Sequence, residues 1–161
     1  MIKEVIMLCA LYYSQVYDIP SKLILAVAKT ESNFEPMAVG KDRMDIGLMQ
    51  IRHIYTKETP VELKDSCLNI RTGARILAEV RKSCRFQKDY TYLICYNRGI
   101  AGANQKDINP KQDRYYKAVM QNLKELYEFE KIETTIKQTL FKKVSIIPSQ
   151  KSWDNSCCIY R

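Results

Sequence analysis

Few side chains in this sequence can carry out chemistry, and their types narrow the reactions that it could support. The 161 residues contain one histidine, His53, and six cysteines that form no C-x-x-C pair. A zinc site built on two histidines is therefore excluded, and we expect neither a metal nor a cofactor. Carboxylates remain as candidate acid–base groups, and the surrounding sequence singles out Glu31.

Glu31 lies in a local sequence that favours a protonated carboxyl group. It falls in the last turn of a predicted helix, where the negative end of the helix dipole disfavours a carboxylate. The apolar neighbours Val27, Phe34 and Met49 are expected to add desolvation. Both effects raise the pKa of a glutamic acid, which suits a group that holds a proton and then donates it to a leaving oxygen. Considered alone, the same residue could be a solvated surface charge.

Helical periodicity dominates the sequence around this residue, so helices are the elements that must position it. Asn33 and Pro36 end the helix that carries Glu31, because the residue before a proline disfavours helical backbone. The pattern predicts helices over residues 2–17, 21–32, 47–56, 66–84, 88–97 and 110–130, the last continuing into 131–144. A short hairpin within residues 36–46 is the β structure that the pattern allows. The predicted fold class is therefore all-α or α-dominated, with at most a short hairpin.

Length and charge indicate the organisation of the chain. We expect one catalytic domain over residues 1–130, followed by a basic C-terminal helix and tail over residues 131–161. The 26 Lys and Arg residues exceed the 18 Asp and Glu residues, which gives a formal charge of +8. This excess suggests an anionic partner, such as nucleic acid, a membrane surface or bacterial cell wall, without choosing among them.

The apolar segments and the two ends of the chain bear on targeting. No stretch of 18 apolar residues is present, so no transmembrane segment is predicted. Ile2, Val5, Ile6 and Cys9 follow the spacing of one helix face, which favours a first helix over a signal peptide. The polar tail from Ser149 carries the only tryptophan and an adjacent cysteine pair.

The cysteines are interpreted as small buried hydrophobic residues with a reactive pair, Cys157 and Cys158, in the tail. Disulfide bonding is the alternative. A bridge between Cys67 and Cys84 is rejected, because both are expected on one helix and seventeen helical residues span about 25 Å.

Five stretches, taken in order and spacing, resemble the soluble lytic transglycosylase domain, which has a lysozyme-like fold. They are residues 26–38, Gly47-Leu48-Met49-Gln50-Ile51, residues 69–77, Tyr96-Asn97-Arg98-Gly99 and residues 115–119. No single stretch is specific, but the five together cover about residues 12–120. The resemblance implies a single lysozyme-like domain.

The resemblance also implies an activity. Members of the family cut the β-1,4 bond between N-acetylmuramic acid and N-acetylglucosamine in peptidoglycan without water. The muramic acid C6 hydroxyl attacks its own anomeric carbon, which leaves a 1,6-anhydro product. The residue at the position of Glu31 is the family's catalytic acid and base. A tethered hydroxyl has a very high effective concentration, so it can replace the second carboxylate of a hydrolase.

Further site residues are implied by position. Ser32 resembles a serine that orients the catalytic glutamate by a hydrogen bond, and Tyr115 resembles a tyrosine that faces it. The remaining implied substrate-binding residues are Met49 and Gln50 in the groove wall, with Tyr96 and Asn97. For Met49 and the tyrosines, ordinary core packing is the alternative.

Two other functions stay open. A goose-type lysozyme-like hydrolase would need a second carboxylate to position water, and Asp42 and Asp45 are the candidates. That family has an aspartate shortly after the Gly-Leu-Met-Gln stretch, and it has no match here, because Arg52 and His53 follow Ile51. A non-catalytic peptidoglycan-binding or assembly module is the second alternative.

The expected partners follow from the resemblance. Peptidoglycan glycan strands are favoured over nucleic acid, and the site of action is the bacterial cell wall or periplasm. Because no clear signal peptide is seen, we expect delivery by a phage virion or a secretion machine, with the basic tail as a candidate docking segment.

Overall fold

The computed structural model describes residues 2–104 and 108–145, and five helices dominate these residues, one fewer than the sequence pattern predicted. The helices are α1 (Ile2–Tyr17), α2 (Ser21–Ser32), α3 (Ser66–Ser83), α4 (Leu93–Ala103) and α5 (Arg114–Ser145), and the strands are β1 (Asp45–Ile46) and β2 (Ile51–Arg52). Short 3-10 turns lie at His53–Tyr55, Glu62–Lys64, Lys88–Tyr90 and Pro110–Gln112. The α-dominated fold class with a short hairpin is confirmed.

The core lies between α1, α2, α3 and α4. Helix α1 packs against both α2 and α3, and α3 also contacts α4. The predicted apolar face of α2 is buried at Leu23, Ala26 and Val27, and that of α3 is buried at Ile70 and Leu77. Burying these faces holds the C-terminal end of α2, which carries Glu31, in a fixed place.

The helix predicted over residues 47–56 is wrong. Strands β1 and β2 pair antiparallel instead, with Asp45 opposite Arg52, and a 3-10 turn follows. The turn between them needs left-handed backbone, with φ +78° at Gly47 and +46° at Gln50. Gly47 also approaches the Leu63 carbonyl and the Asn69 side chain so closely that a Cβ atom would collide with both.

Asn69 of α3 is the buried side chain that fixes this turn by hydrogen bonds. Its Nδ2 donates to the carbonyls of Ile46 (2.9 Å) and Leu63 (2.7 Å), and its Oδ1 accepts from the Met49 amide (2.8 Å). These three bonds satisfy the buried amide and fix the hairpin onto α3.

Helix ends were predicted with mixed success. Asp65 caps α3 as predicted, because its Oδ1 accepts from the Leu68 amide at 2.7 Å. Asn109 caps only the short turn Pro110–Gln112, and α5 begins later, at Arg114. Helix α4 begins at Leu93 rather than at residue 88, and it continues past Gly99, where φ is +69° and the helix kinks.

Four of the cysteines form disulfides, so the interpretation of these residues as free buried thiols is corrected. Cys9 of α1 is joined to Cys67 of α3, with Cα atoms 5.4 Å apart. Cys84 is joined to Cys95 of α4, with Cα atoms 6.0 Å apart. The pairings were missed because each joins residues that meet only after the helices have packed. The Cys157–Cys158 pair lies outside the described residues.

The chain divides into two compact units, which are residues 1–127 and residues 128–161. In the second unit α5 extends to Ser145, as the helical pattern of residues 131–144 predicted. The division into a catalytic domain over 1–130 and a basic region over 131–161 stays a prediction, and the tail from Ser149 lies outside the described residues. None of the helices described is long and apolar enough to cross a membrane.

Candidate active site

Glu31 sits in the last turn of α2, and the fold brings Tyr115 of α5 onto it. The Tyr115 hydroxyl donates to Glu31 Oε1 at 2.6 Å, across 84 residues of sequence. Asn33, two residues after Glu31, ends the helix in left-handed backbone, and its N–H donates to the Lys29 carbonyl. The Glu31 carboxyl is therefore held at a helix end by a neutral donor.

Burial raises the pKa of Glu31 from its ordinary 4.5 to about 7. The Tyr115 hydrogen bond lowers the pKa because it stabilises the carboxylate, and the charge of Asp45 raises it. Burial also raises the pKa of Tyr115 well above 10, so this phenol stays a donor at neutral pH. The carboxyl can therefore hold a proton near neutral pH and release it without a large free-energy cost.

Polar contacts position α5 along three consecutive residues of α2. Besides the Tyr115–Glu31 bond, Asn122 donates to the Thr30 hydroxyl at 2.9 Å. Lys29 pairs with Glu125 at 2.6 Å. The register of α5 against α2 is thus set by contacts of Glu31 and of the two residues that precede it.

Ser32 does not make the hydrogen bond that the resemblance implied. Its hydroxyl donates to the Leu48 carbonyl at 2.8 Å and accepts from the Glu35 amide at 3.2 Å. Those bonds tie the end of α2 to the hairpin turn. Ser32 therefore acts on the position of the backbone around Glu31 rather than on its carboxyl group.

Met49 is a core residue rather than a groove-wall residue, which corrects its assignment to substrate binding. Its exposed fraction is 0%, and its side chain lies against Gly73 of α3. Its backbone does reach the site, because the Met49 carbonyl accepts from the Tyr96 hydroxyl at 2.9 Å.

Tyr96 and Gln50 both make hydrogen bonds to carbonyls of the hairpin turn. Burial, followed by the charges of Glu31 and Asp45, raises the pKa of Tyr96 well above 10. Gln50 is half-buried and donates to the Gly47 carbonyl at 2.9 Å. Asn97 is exposed on α4, next to Tyr96 in the sequence. Tyr115 is therefore the predicted residue that hydrogen-bonds to Glu31, and Tyr96 is a second buried phenol whose pKa the charge of Glu31 raises.

Arg52 pairs with both aspartates that were candidates for a second carboxylate. Its guanidinium lies 2.9 Å from Asp42 Oδ2 and 3.4 Å from Asp45 Oδ2. The Met44 amide and Arg52 hold the pKa of Asp42 below its usual range. Burial raises the pKa of Asp45, although Arg52 opposes this shift. The loop that precedes the turn thus offers an ion-paired cluster rather than an isolated carboxylate.

Asp113 and Arg98 support Tyr115 from the start of α5, and sequence reasoning missed Asp113. Its side chain is 3% exposed, accepts from the Tyr116 amide at 3.0 Å, and pairs with Arg98 at 2.6 Å. Burial opposes ionisation of Asp113, but the Tyr116 amide and Arg98 bring its pKa below the usual range. An aspartate directly before a periodic helix is the pattern of an N-cap, which Asn109 and Pro110 obscured.

Replacing Tyr115 with phenylalanine is expected to raise the pKa of Glu31 above about 7. The phenylalanine keeps the ring but removes the hydrogen bond that stabilises the carboxylate. The pKa can be measured by NMR titration of a carbon-13 label on the Glu31 carboxyl. An unchanged or lowered pKa would show that the phenol does not stabilise the carboxylate.

Replacing Asp45 with asparagine is expected to shift the same pKa in the opposite direction. The substitution removes a negative charge that disfavours ionisation of Glu31, so its pKa should fall. The same carboxyl titration measures the shift, and Asp42→Asn serves as the matched control because Asp42 does not act on Glu31 in the structure. A rise in the Asp45→Asn variant would contradict the assigned electrostatics.

No cluster of three or more His, Cys, Asp or Glu side chains able to hold a metal is present within residues 2–104 and 108–138. The arrangement consists of the Glu31 carboxyl, whose pKa is raised to about 7, two phenols and a hairpin turn. It can donate and accept a proton at one position.

Comparison with known proteins supports this region as the core of a family. The family described as "Transglycosylase SLT domain" matches residues 9–119. "Invasion protein IagB" of Salmonella typhi is 31% identical over 130 residues, covering 74% of this chain and 78% of that protein. "Peptidoglycan-binding-like protein" of Escherichia coli O157:H7 is 33% identical over 107 residues, covering 56% of this chain and 63% of that protein. "Protein IpgF" of Shigella sonnei is 27% identical over 110 residues, covering 61% of this chain and 64% of that protein.

Proposed function

Because the chain belongs to the transglycosylase SLT domain family, we propose that it is a peptidoglycan lytic transglycosylase with Glu31 as its single acid and base. The substrate is the β-1,4 bond between N-acetylmuramic acid and N-acetylglucosamine, and the product ends in 1,6-anhydro-N-acetylmuramic acid. The observation that supports the proposal is the raised pKa of the buried Glu31 carboxyl, which accepts a hydrogen bond from Tyr115.

The reaction needs two proton transfers, one from Glu31 and one back to it. Protonated Glu31 donates its proton to the glycosidic oxygen as the bond to the muramic acid C1 breaks, which frees the 4-hydroxyl of the next sugar. The C6 hydroxyl of the same muramic acid then bonds to C1 and gives its proton to the Glu31 carboxylate. No water is consumed, and Glu31 returns to its starting state. The Tyr115 hydroxyl stabilises the carboxylate between the two steps.

Arg52 holds both aspartates that a goose-type hydrolase could use as its second carboxylate. A hydrolase needs a second carboxylate at about 5–9.5 Å from the acid, either as a nucleophile or as a base for water. Asp42 and Asp45 are both ion-paired with Arg52; the pKa of Asp42 lies below its usual range, whereas burial keeps the pKa of Asp45 above its usual value. An intramolecular hydroxyl needs no such group.

Digestion of purified peptidoglycan sacculi tests the proposal. We expect soluble muropeptides that are one water lighter than lysozyme products and have no reducing end. Products with reducing ends would support the hydrolase. Binding to sacculi without release of muropeptides would support a non-catalytic binding or assembly module.

The proposed place of action is the bacterial cell wall. The two disulfides support it, because disulfides form and persist in oxidising compartments such as the periplasm. The substrates of the family lie in the same compartment. Delivery by a phage virion or a secretion machine, through the C-terminal tail, stays a prediction.

A further inference from the structure

A cavity of about 490 Å³ lies at the end of α2 that is opposite to Glu31. Pro20, which directly precedes α2, lines the cavity, whereas Glu31 lies in the last turn, about 17 Å away along the helix axis. The volume falls within the range of about 300–1,000 Å³ that small-molecule sites have in proteins. The lining includes Asp18, Pro20, Arg81, Asp89, Tyr90 and Tyr92. We call this space the Tyr92 cavity.

Tyr92 is the lining residue that indicates a missing partner. Its exposed fraction is 2%, and its hydroxyl has no hydrogen-bond partner among the residues described. Burial raises the pKa of this phenol to about 12, so it keeps its proton at neutral pH. Buried hydroxyl groups are normally paired, because an unpaired one gives up its bonds to water without replacing them. A ligand with an acceptor oxygen would satisfy the Tyr92 hydroxyl.

The charged side chains around the Tyr92 cavity are paired with one another. Arg81 donates to the Asp18 carbonyl at 2.6 Å and to Asp18 Oδ2 at 3.1 Å. The Lys111 ammonium lies 3.3 Å from Asp89 Oδ2. Because a cation neutralises each carboxylate, an anionic or cationic ligand would find no unbalanced charge of opposite sign there. The Tyr92 cavity therefore suits a neutral polar ligand.

Aromatic and hydrogen-bonding groups together indicate the class of that ligand. The rings of Tyr90 and Tyr92 meet edge to face, with centroids 6.2 Å apart, and Pro20 adds apolar surface. The two carboxylates supply acceptors, and Arg81 and Tyr92 supply donors. A sugar ring matches both features, because its hydroxyls donate and accept while its C–H face is apolar.

We propose that the Tyr92 cavity binds a neutral N-acetylated sugar, such as the N-acetylglucosamine units of a glycan strand, apart from the site of cleavage. The inference rests on the proposed function, which supplies the glycan strand. Two separate contacts with one polymer raise its effective concentration at each site. The Tyr92 cavity would thus hold the protein on its substrate between cleavage events.

The walls of the Tyr92 cavity are fixed before a ligand binds. The Cys84–Cys95 disulfide closes the loop that carries Asp89, Tyr90 and Tyr92. Asp89 and Tyr90 both have left-handed backbone, with φ +53° and +61°. The Tyr116 hydroxyl holds this turn by donating to the Asp89 carbonyl at 2.8 Å. A preformed site loses little conformational freedom on binding, which favours affinity.

NMR titration of the nitrogen-15-labelled full chain with a trimer of β-1,4-linked N-acetylglucosamine tests the proposal. We expect the trimer to shift the backbone amides of residues 89–92, whatever it does to the amides around Glu31. Shifts confined to the surroundings of Glu31, or no shifts at all, would overturn the proposal.

Tyr92→Phe tests the role of the hydroxyl. The substitution keeps the ring and removes a group that makes no hydrogen bond within the protein, so the fold should be retained. The dissociation constant measured at residues 89–92 should rise about three- to tenfold, the value of one hydrogen bond. Tyr55→Phe is the matched control, because Tyr55 is 78% exposed elsewhere and should leave this constant unchanged. An unchanged constant in Tyr92→Phe would contradict the assignment of the hydroxyl to the ligand.

A trimer of glucosamine tests the preference for a neutral ligand. It keeps the sugar rings but replaces each acetamide with an ammonium group, and we expect it to bind at residues 89–92 at least tenfold more weakly. Equal affinity for the two trimers would show that the class of ligand is wrong. None of these measurements involves cleavage, so their failure leaves the role of Glu31 intact. Sacculus products with reducing ends would overturn the proposed lyase and leave the binding result standing.

Discussion

Glu31→Gln is expected to abolish release of muropeptides while the fold is retained. The amide cannot donate a proton to the glycosidic oxygen, and a general acid–base group contributes about 10²–10⁴-fold to a rate. The glutamine Oε1 can still accept the Tyr115 hydrogen bond, so the contact between α2 and α5 survives. The rate of release from sacculi and the circular dichroism spectrum measure the two effects.

Glu35→Gln is the control for this substitution. Glu35 is exposed one turn further along the chain, and its carboxylate accepts from the Met37 amide rather than from Tyr115. The same chemical change there should leave activity within a few-fold of wild type. A fully active Glu31→Gln protein would remove Glu31 from the mechanism.

The pH dependence of the free energy of unfolding gives a second measure of the raised pKa of Glu31. Its pKa in the folded protein, about 7, lies above its ordinary value of 4.5, so the folded state holds the proton more tightly than the unfolded state. This contribution to stability is fully present below about pH 4.5 and is lost as the pH rises through about 7. The Glu31→Gln variant has no ionisable group at this position and does not lose this contribution as the pH rises. The free energy of unfolding of the variant minus that of wild type should therefore be larger at pH 8 than at pH 4.

Removing the Cys9–Cys67 disulfide is the change expected to cost the most stability. The bridge closes a loop with a sequence separation of 58 residues, and the entropy of closing such a loop in the unfolded chain corresponds to about 4 kcal/mol. Cys9→Ala combined with Cys67→Ala should therefore lower the free energy of unfolding by about that amount. Urea unfolding in the absence of reductant measures it.

The Cys84–Cys95 bridge supplies an internal comparison. Its sequence separation is 11, so the same argument gives about 3 kcal/mol for its removal. Adding a reductant to wild type should reproduce the losses of the alanine variants, and the variant without both bridges should not respond. Equal stability of wild type and Cys9→Ala/Cys67→Ala would contradict a structural role for the first bridge.

The sequence predicted those parts of the fold that depend on local pattern. The bounds of α1 and α2, the cap at Asp65 and the buried face of α3 follow from apolar periodicity and capping chemistry. The turn at Gly47–Gln50 was mistaken for a helix because its left-handed backbone depends on Asn69, which lies in another element. The disulfides were missed for the same reason.

In the candidate site, too, some residues could be predicted from the sequence and others depend on contacts between distant elements. Glu31 and Tyr115 were predicted through the resemblance, and the structure adds the hydrogen bond between them. Met49 was misassigned because a sequence motif does not distinguish a side chain in the core from one in a groove. Asp113 was missed because its effect on Tyr115 arises from burial and from pairing with Arg98, which the sequence separates by 15 residues.

The central claim is that Glu31 drives cleavage without water, and digestion in water labelled with heavy oxygen tests it most directly. Purified sacculi would be digested by wild type in labelled water, and the released muropeptides would be analysed by mass spectrometry. We expect products that end in 1,6-anhydro-N-acetylmuramic acid and contain no label, because the C6 hydroxyl supplies the oxygen. Incorporation of one labelled oxygen at C1 would show hydrolysis and would contradict the account.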